Sequence, residues 1–189
     1  MILVDTNVLL DLVTDDPRWA EWSQQQLDLA SAQDELAINE MVYAELSIGY
    51  ERMEELDAML VTAGLANAAI PRPALFLAGK AFQRYRSSGG RKNGVLPDFF
   101  IGAHAVVADA ALITRDSARY RSHLPGIMVI APRKKHDSPL RQTIVRDSPA
   151  KGRGLLLDRT SGGLMGPGFR RDSGRARFHA LGSAIPVAN

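Results

Sequence analysis

The chain has 189 residues, 46% of them hydrophobic, which is enough apolar material for one domain with a sizeable core; it has no cysteine, which excludes a disulfide framework, a thiolate zinc site and a cysteine nucleophile. The net charge of +2 hides two unlike parts: residues 1–132 carry 11 Lys/Arg against 17 Asp/Glu, and residues 133–189 carry 12 against 4. The N-terminus lacks a basic leader, its apolar run is broken by Asp5 and Asp11, and no stretch approaches the roughly 18 uncharged residues of a membrane span, so a soluble, cytoplasmic protein is expected.

Taken in order, "ILVDTN" reads as a first strand that reaches a carboxylate at Asp5 before the apolar pattern resumes. Asp16, Pro17 and Arg18 read as an N-cap with proline at the first helical position, and the helix that follows should carry Trp19, Trp22 and Leu29 on one side. "ELAINE" is a second strand, and Asn39 can cap a helix through "EMVYAELSIGY". Met53, Leu56 and Leu60 mark another helix, ended by Gly64. "NAAIP" is a third strand. Pro73 opens a helix whose Ala74, Leu77, Ala78, Ala81, Phe82 and Tyr85 form a core stripe. "SSGGRKNG" is a basic, turn-rich break before Pro97 and the helix "DFFIGAHAVVADA", and "ALITRD" and "IMVIAP" are the last two strands. Strands separated by helix-length segments require crossovers, hence an α/β fold with a mainly parallel sheet. Beyond Pro132 the periodicity fades into Gly, Arg and Ser, so the chain divides into a domain at 1–132 and a basic Gly/Arg-rich tail at 133–189, expected to be mostly disordered.

Four acids stand out. Asp5 and Asp116 lie at the carboxyl ends of the first and fourth strands, Glu45 about a turn and a half into the helix after the second, and Asp98 at the start of the helix leading to the fourth. In a right-handed parallel sheet, strand carboxyl ends and the N-termini of crossover helices share one edge, so all four can face one crevice. Two carboxylates roughly 5 Å apart repel by about 3 kcal/mol at an effective dielectric near 20. Either some take up protons or a cation neutralises them. Oxygen ligands favour Mg²⁺, with Mn²⁺ able to substitute, and such an ion supports in-line phosphodiester hydrolysis.

"VDTNVLL", the Glu of "YAEL", "LPDFFIGAHA" and "LITRD" resemble the four acidic motifs of the PIN-domain ribonucleases, and their order and spacing are similar to the VapC toxins of type II toxin–antitoxin modules. The resemblance covers about residues 1–132. It implies a three-layer α/β/α fold, Mg²⁺-dependent endonucleolytic cleavage of RNA leaving 5′-phosphate and 3′-hydroxyl ends, a cognate antitoxin that occludes the site, and a homodimer. Carried over by residue, Asp5, Glu45, Asp98 and Asp116 become the catalytic and metal-binding quartet, with Thr6 and Asn7 in support. The tail departs from the pattern.

Each residue also has a plainer reading. Asp5 with Thr6 and Asn7 can form an Asx-type turn capping the next helix, Asp98 and Asp116 can be N-caps, and Glu40 or Glu51 can be confused with Glu45. His104, among small apolar residues, reads as a core or dimer-face histidine rather than a ligand. Arg91 and Lys92, with Arg84 and Arg86 before them, could meet RNA phosphates or simply form a solvated basic loop. Two rival functions are a haloacid-dehalogenase-like phosphatase, which normally has a second acid where this chain has Asn7, and a non-catalytic RNA-binding PIN-like domain.

Overall fold

Five three-residue strands and seven helices make up the described part of the chain, residues 1–90 and 96–132 of a computed structural model. Arg91, Lys92 and the whole tail at 133–189, with the disorder expected for it, lie outside the described residues. In chain order the elements are β1 (Ile2–Val4), α1 (Thr6–Val13), α2 (Ala20–Ser31), β2 (Leu36–Ile38), α3 (Glu40–Ser47), α4 (Met53–Ala63), β3 (Leu65–Asn67), α5 (Arg72–Ser87), α6 (Leu96–Val107), β4 (Ala111–Ile113), α7 (Ser117–His123) and β5 (Met128–Ile130).

The sheet has the order β3-β2-β1-β4-β5 and every pair is parallel, with Ile2 beside both Leu36 and Ala111. The chain winds outward from β1 to β3, then returns to the other side of β1 for β4 and β5. Helices flank the sheet in an α/β/α arrangement. The winding reverses between β1 and β4, and at such a switch point the helices leaving neighbouring strands diverge and open a crevice at the strand carboxyl ends.

Continuous apolar runs are what a sheet covered on both faces requires, and all residues of β1 and β2 are buried. Leu3, Leu9, Leu27, Ile38, Leu46, Leu56, Ile101, Leu112 and Ile113 are the largest fully buried side chains; each contributes roughly 1.5–3 kcal/mol by leaving water. Ala74, Ala78 and Ala81 of α5 are buried, and their small side chains let this helix pack closely on α6. Phe82 and Tyr85 extend that face into an aromatic cluster with Phe99 and His123, at centroid separations from 4.9 to 6.3 Å. Gly102 on α6 is obligatory for packing rather than for backbone freedom: a Cβ there would stand 2.5 Å from Leu124 Cδ1 and 2.7 Å from Tyr120 Cδ1. It therefore brings α7 against α6.

Three local expectations need correction. β3 is Leu65–Asn67, upstream of "NAAIP", because Gly64 closes α4 in the left-handed conformation (φ 67°) and pairing with β2 begins at the next residue. Asp16 does not cap α2: its Oδ1 accepts from the backbone N–H of Arg18 and Trp19, which holds a turn, and α2 starts later, with Trp19 at the N-cap. The three residues read as one side of α2 are treated differently: Trp19 precedes the helix at its N-cap, Trp22 is half-buried against the core and Leu29 is exposed, while Ser23, Leu27 and Ala30 are the fully buried positions.

Candidate functional site

Asp5 follows β1 at the N-cap of α1, with extended backbone (φ −77°, ψ 149°), yet its carboxylate makes no cap bond to that helix. The Asx-type capping alternative is thereby set aside. Oδ2 instead accepts 2.6 Å hydrogen bonds from Asn7 Nδ2 and from the Thr114 hydroxyl. Thr114, fully buried just after β4, uses its whole capacity, since its oxygen also accepts from Asn7 Nδ2 and from the backbone N–H of Asp116. Asn7 Oδ1 accepts from the Arg115 N–H, and so the β1–α1 and β4–α7 junctions are tied together at the switch point. Asp5 is 3% exposed, and burial, helped by the nearby charges of Asp98 and Glu45 and opposed by Thr114, lifts its carboxyl from 3.8 to about 6.

The other acids surround this buried one. Glu45, on α3, accepts a hydrogen bond from the Thr6 hydroxyl. Of its possible substitutes, Glu40 is occupied elsewhere, accepting from the backbone N–H of Ile70, and Glu51 is exposed. Asp98 lies in the first turn of α6 and Asp116 caps α7 by accepting from the Arg119 N–H at 3.3 Å. Both carboxylates bind one guanidinium: Arg119 Nη1 is 2.5 Å from Asp98 Oδ2 and Nε is 3.1 Å from Asp116 Oδ2. Burial pushes the Asp98 carboxyl up, against the pull of Arg119 and with a push from Asp116. Asp5 thus feels Asp98 and Glu45, and Asp98 feels Asp116, which joins all four acids electrostatically along one edge of the sheet.

Tyr120, beside Arg119, is 2% exposed, and its buried hydroxyl acts on the Asp5 carboxylate as a hydrogen-bond donor, drawing that acid down against the push of burial. Burial first, then the charges of Asp5 and Asp98, hold this phenol well above its ordinary range, so it stays protonated. Asp98, Phe99, Arg119, Tyr120, His123 and Leu124 line a small cleft there.

The acids offer only hard oxygen donors, excess negative charge and a buried carboxyl lifted towards neutrality, all of which suit a divalent cation. As they stand, no group of three or more acidic or histidine side chains among the described residues is set to hold a metal ion; Arg119 lies between two of the four. The donor chemistry suits such a cation, and Asp98 and Asp116 are engaged by Arg119.

A model of the PIN domain matches residues 2–122 of the sequence. The chain belongs to the PIN-domain family. No curated protein matches it by sequence. Among solved structures, the PIN fold of this chain is similar to VapBC2 from Rickettsia felis bound to a promoter DNA fragment, with a TM-score of 0.56 and 19% identity over 70% of this chain and 100% of the other. It is also similar to DNA-bound VapBC from Salmonella typhimurium (0.52, 18%, 69% and 98%) and to a toxin–antitoxin complex from Klebsiella pneumoniae (0.51, 23%, 71% and 99%). At these identities the likeness is one of fold. PIN membership replaces the haloacid-dehalogenase alternative.

Thr114, Arg119 and Tyr120 were not singled out by the sequence, although "TRD" places Thr114 two residues before Asp116 and "DSAR" places Arg119 three after it. Arg115 was missed as well. Its Nη1 is 3.0 Å from Asp11 Oδ1, a buried carboxylate that also accepts from Ser23 at 2.6 Å, and its guanidinium lies over the Trp19 ring. This network braces the Arg115–Asp116 loop from behind. His104 is buried, its Nδ1 3.4 Å from Asn39 Nδ2, while Asn39 Oδ1 accepts from the N–H groups of Met41 and Val42 and so starts the helix that carries Glu45.

Proposed function

We propose that this PIN domain is a Mg²⁺-dependent endoribonuclease of the VapC toxin type, with Asp5, Glu45, Asp98 and Asp116 as its catalytic and metal-binding acids and Thr6 and Asn7 as their supports. The observation that carries the reading is a buried carboxylate, Asp5, held by Thr114 and Asn7 at the β1–β4 switch point with three further acids coupled around it. A fold has no need of such self-repelling charge, whereas cation-assisted phosphodiester cleavage does. A divalent ion bound there would neutralise the acids, lower the pKa of a bound water and stabilise the charge that builds up on the phosphate.

The chain's own groups divide the remaining work. Asn7 and Thr114 both hold Oδ2 of Asp5, so the carboxylate is oriented before any ligand arrives. Asp98 and Asp116, more exposed, adjust to the ligand. Glu45, oriented by Thr6, is placed to accept a proton from an attacking water. The partner is a cognate antitoxin, in line with the toxin–antitoxin complexes of similar fold, and the working form is a cytoplasmic homodimer. Among the described residues no helix is long and apolar enough to cross a membrane. Arg91 and Lys92 are proposed RNA contacts, and residues 133–189 a tail separate from the nuclease domain at 1–132.

The test is a Mg²⁺ and Mn²⁺ titration followed by thermal melting and by cleavage of total RNA. Saturable stabilisation by mass action, together with cleavage that EDTA abolishes, is the expected result. RNA bound but never cut would favour the non-catalytic RNA-binding reading instead.

A further inference from the structure

We propose that Arg119 is a built-in counter-ion that competes with a divalent cation for Asp98 and Asp116 and, once it yields them, engages a phosphate of the substrate; this rests on the reading of the site as a metal-dependent nuclease centre. One guanidinium spans carboxylates from two elements, the first turn of α6 and the cap of α7, through two different nitrogens, Nη1 and Nε. Those Oδ2 atoms are donors that a hard cation needs, and an oxygen engaged with a guanidinium has less to give a metal.

The two halves of the bridge differ: Arg119 is 46% exposed and Asp116 44%, so water readily takes over that hydrogen bond and an exposed ion pair of this kind holds weakly, while Asp98, 21% exposed, keeps the tighter contact with Nη1. Another acid–arginine pair among the described residues shows the contrast: Asp11, 2% exposed, is held by Arg115 and Ser23. Next to Arg119, Tyr120 lines the same small cleft with its hydroxyl buried against Asp5, so the guanidinium sits beside the acids on both sides of the cleft. Released from the acids, the guanidinium stays at the mouth of the cleft on the rigid start of α7. Its planar fork matches phosphate oxygens, and its charge does not depend on pH.

The experiment measures Mn²⁺ affinity by electron paramagnetic resonance for the wild type, Arg119→Gln, Arg119→Lys and Asp98→Asn, with melts in EDTA and in saturating Mn²⁺. Arg119→Gln is expected to bind Mn²⁺ roughly threefold to tenfold more tightly, the value of a partly exposed ion pair no longer competing. It should melt lower than wild type in EDTA, with the gap closing in Mn²⁺, and Arg119→Lys should fall between. With Ca²⁺ in place of Mg²⁺, a single-stranded RNA oligonucleotide should bind Arg119→Gln more weakly. A purely structural salt bridge predicts the same melting deficit with and without Mn²⁺ and no gain in Mn²⁺ affinity, and either result overturns the competition. Unchanged RNA affinity overturns the phosphate contact. If the wild type shows no Mn²⁺ binding that Asp98→Asn weakens, the metal-site reading itself fails; if it does and Arg119→Gln binds no tighter, only the role of Arg119 fails.

Discussion

Replacing Asp5 with Asn should make the metal-free protein more stable, although it removes a residue placed at the centre of the site. Burial lifts the Asp5 carboxyl from 3.8 to about 6. At 1.36 kcal/mol per pH unit, keeping it ionised costs the folded state about 3 kcal/mol at neutral pH. The sign follows from the direction: an acid raised in the folded form is no burden below pH 3.8, becomes one as pH climbs to about 6, and remains one above. Asn has no charge to desolvate, and its carbonyl oxygen can still accept from Asn7 and Thr114. Urea and thermal denaturation in EDTA, from pH 4.5 to 8, should therefore show Asp5→Asn more stable at pH 8 by about 2–3 kcal/mol, or on the order of 10 °C in Tm, with the gain shrinking towards pH 4.5. A variant no more stable than wild type at pH 8, or a gap independent of pH, would refute the reasoning.

Arg115→Ala strands the Asp11 carboxylate, which burial already holds above its usual range, and should cost about 3 kcal/mol at pH 7; denaturant melts should show part of the loss recovered on acidification, as Asp11 takes up a proton. Gly102→Ala should lower stability by about 1–3 kcal/mol in the same melts by driving a methyl into Tyr120 and Leu124. A chain ending at Pro132 retains every described element and the whole PIN match, so its melt and cleavage sites should equal those of the full chain, while the loss of a +8 segment should flatten the salt dependence of RNA binding.

The parallel sheet was legible because its strands are short apolar runs spaced by helices, and three of the four acids stand at element boundaries that local signals mark: β1 to α1 for Asp5, Pro97 for Asp98, the end of β4 for Asp116; Glu45, inside α3, has only its neighbours in "YAEL" to distinguish it from Glu40 and Glu51. β3 was misplaced by about two residues, since "AAI" is the more apolar triplet and only pairing with β2 selects "LAN", whose Asn67 is exposed. Trp19 was placed on α2 with Trp22, but it stands at the N-cap under two guanidiniums, those of Arg18 and Arg115, contacts that sequence spacing does not show. Thr114, Arg119 and Tyr120 escaped notice because their importance arises from tertiary contact. A threonine after a strand or an arginine on a surface helix is ordinary until the β1–β4 pairing brings Asp5 to the first and the α6–α7 packing brings Asp98 to the second.

The most direct measurement is single-turnover cleavage of an end-labelled RNA at millimolar Mg²⁺ by wild type and Asp98→Asn, both shown by melting in EDTA to be folded. Asp98 is more exposed than Asp5 and its main partner is Arg119, so its loss should leave the fold standing. Wild type should cut at discrete positions, leaving 5′-phosphate and 3′-hydroxyl ends and stopping in EDTA, and Asp98→Asn should lose the activity by at least a hundredfold, the scale on which catalytic acid–base and metal-binding groups act. Full cleavage by folded Asp98→Asn, or cleavage by wild type that persists in EDTA, would contradict the assignment of these acids as a metal-dependent nuclease site.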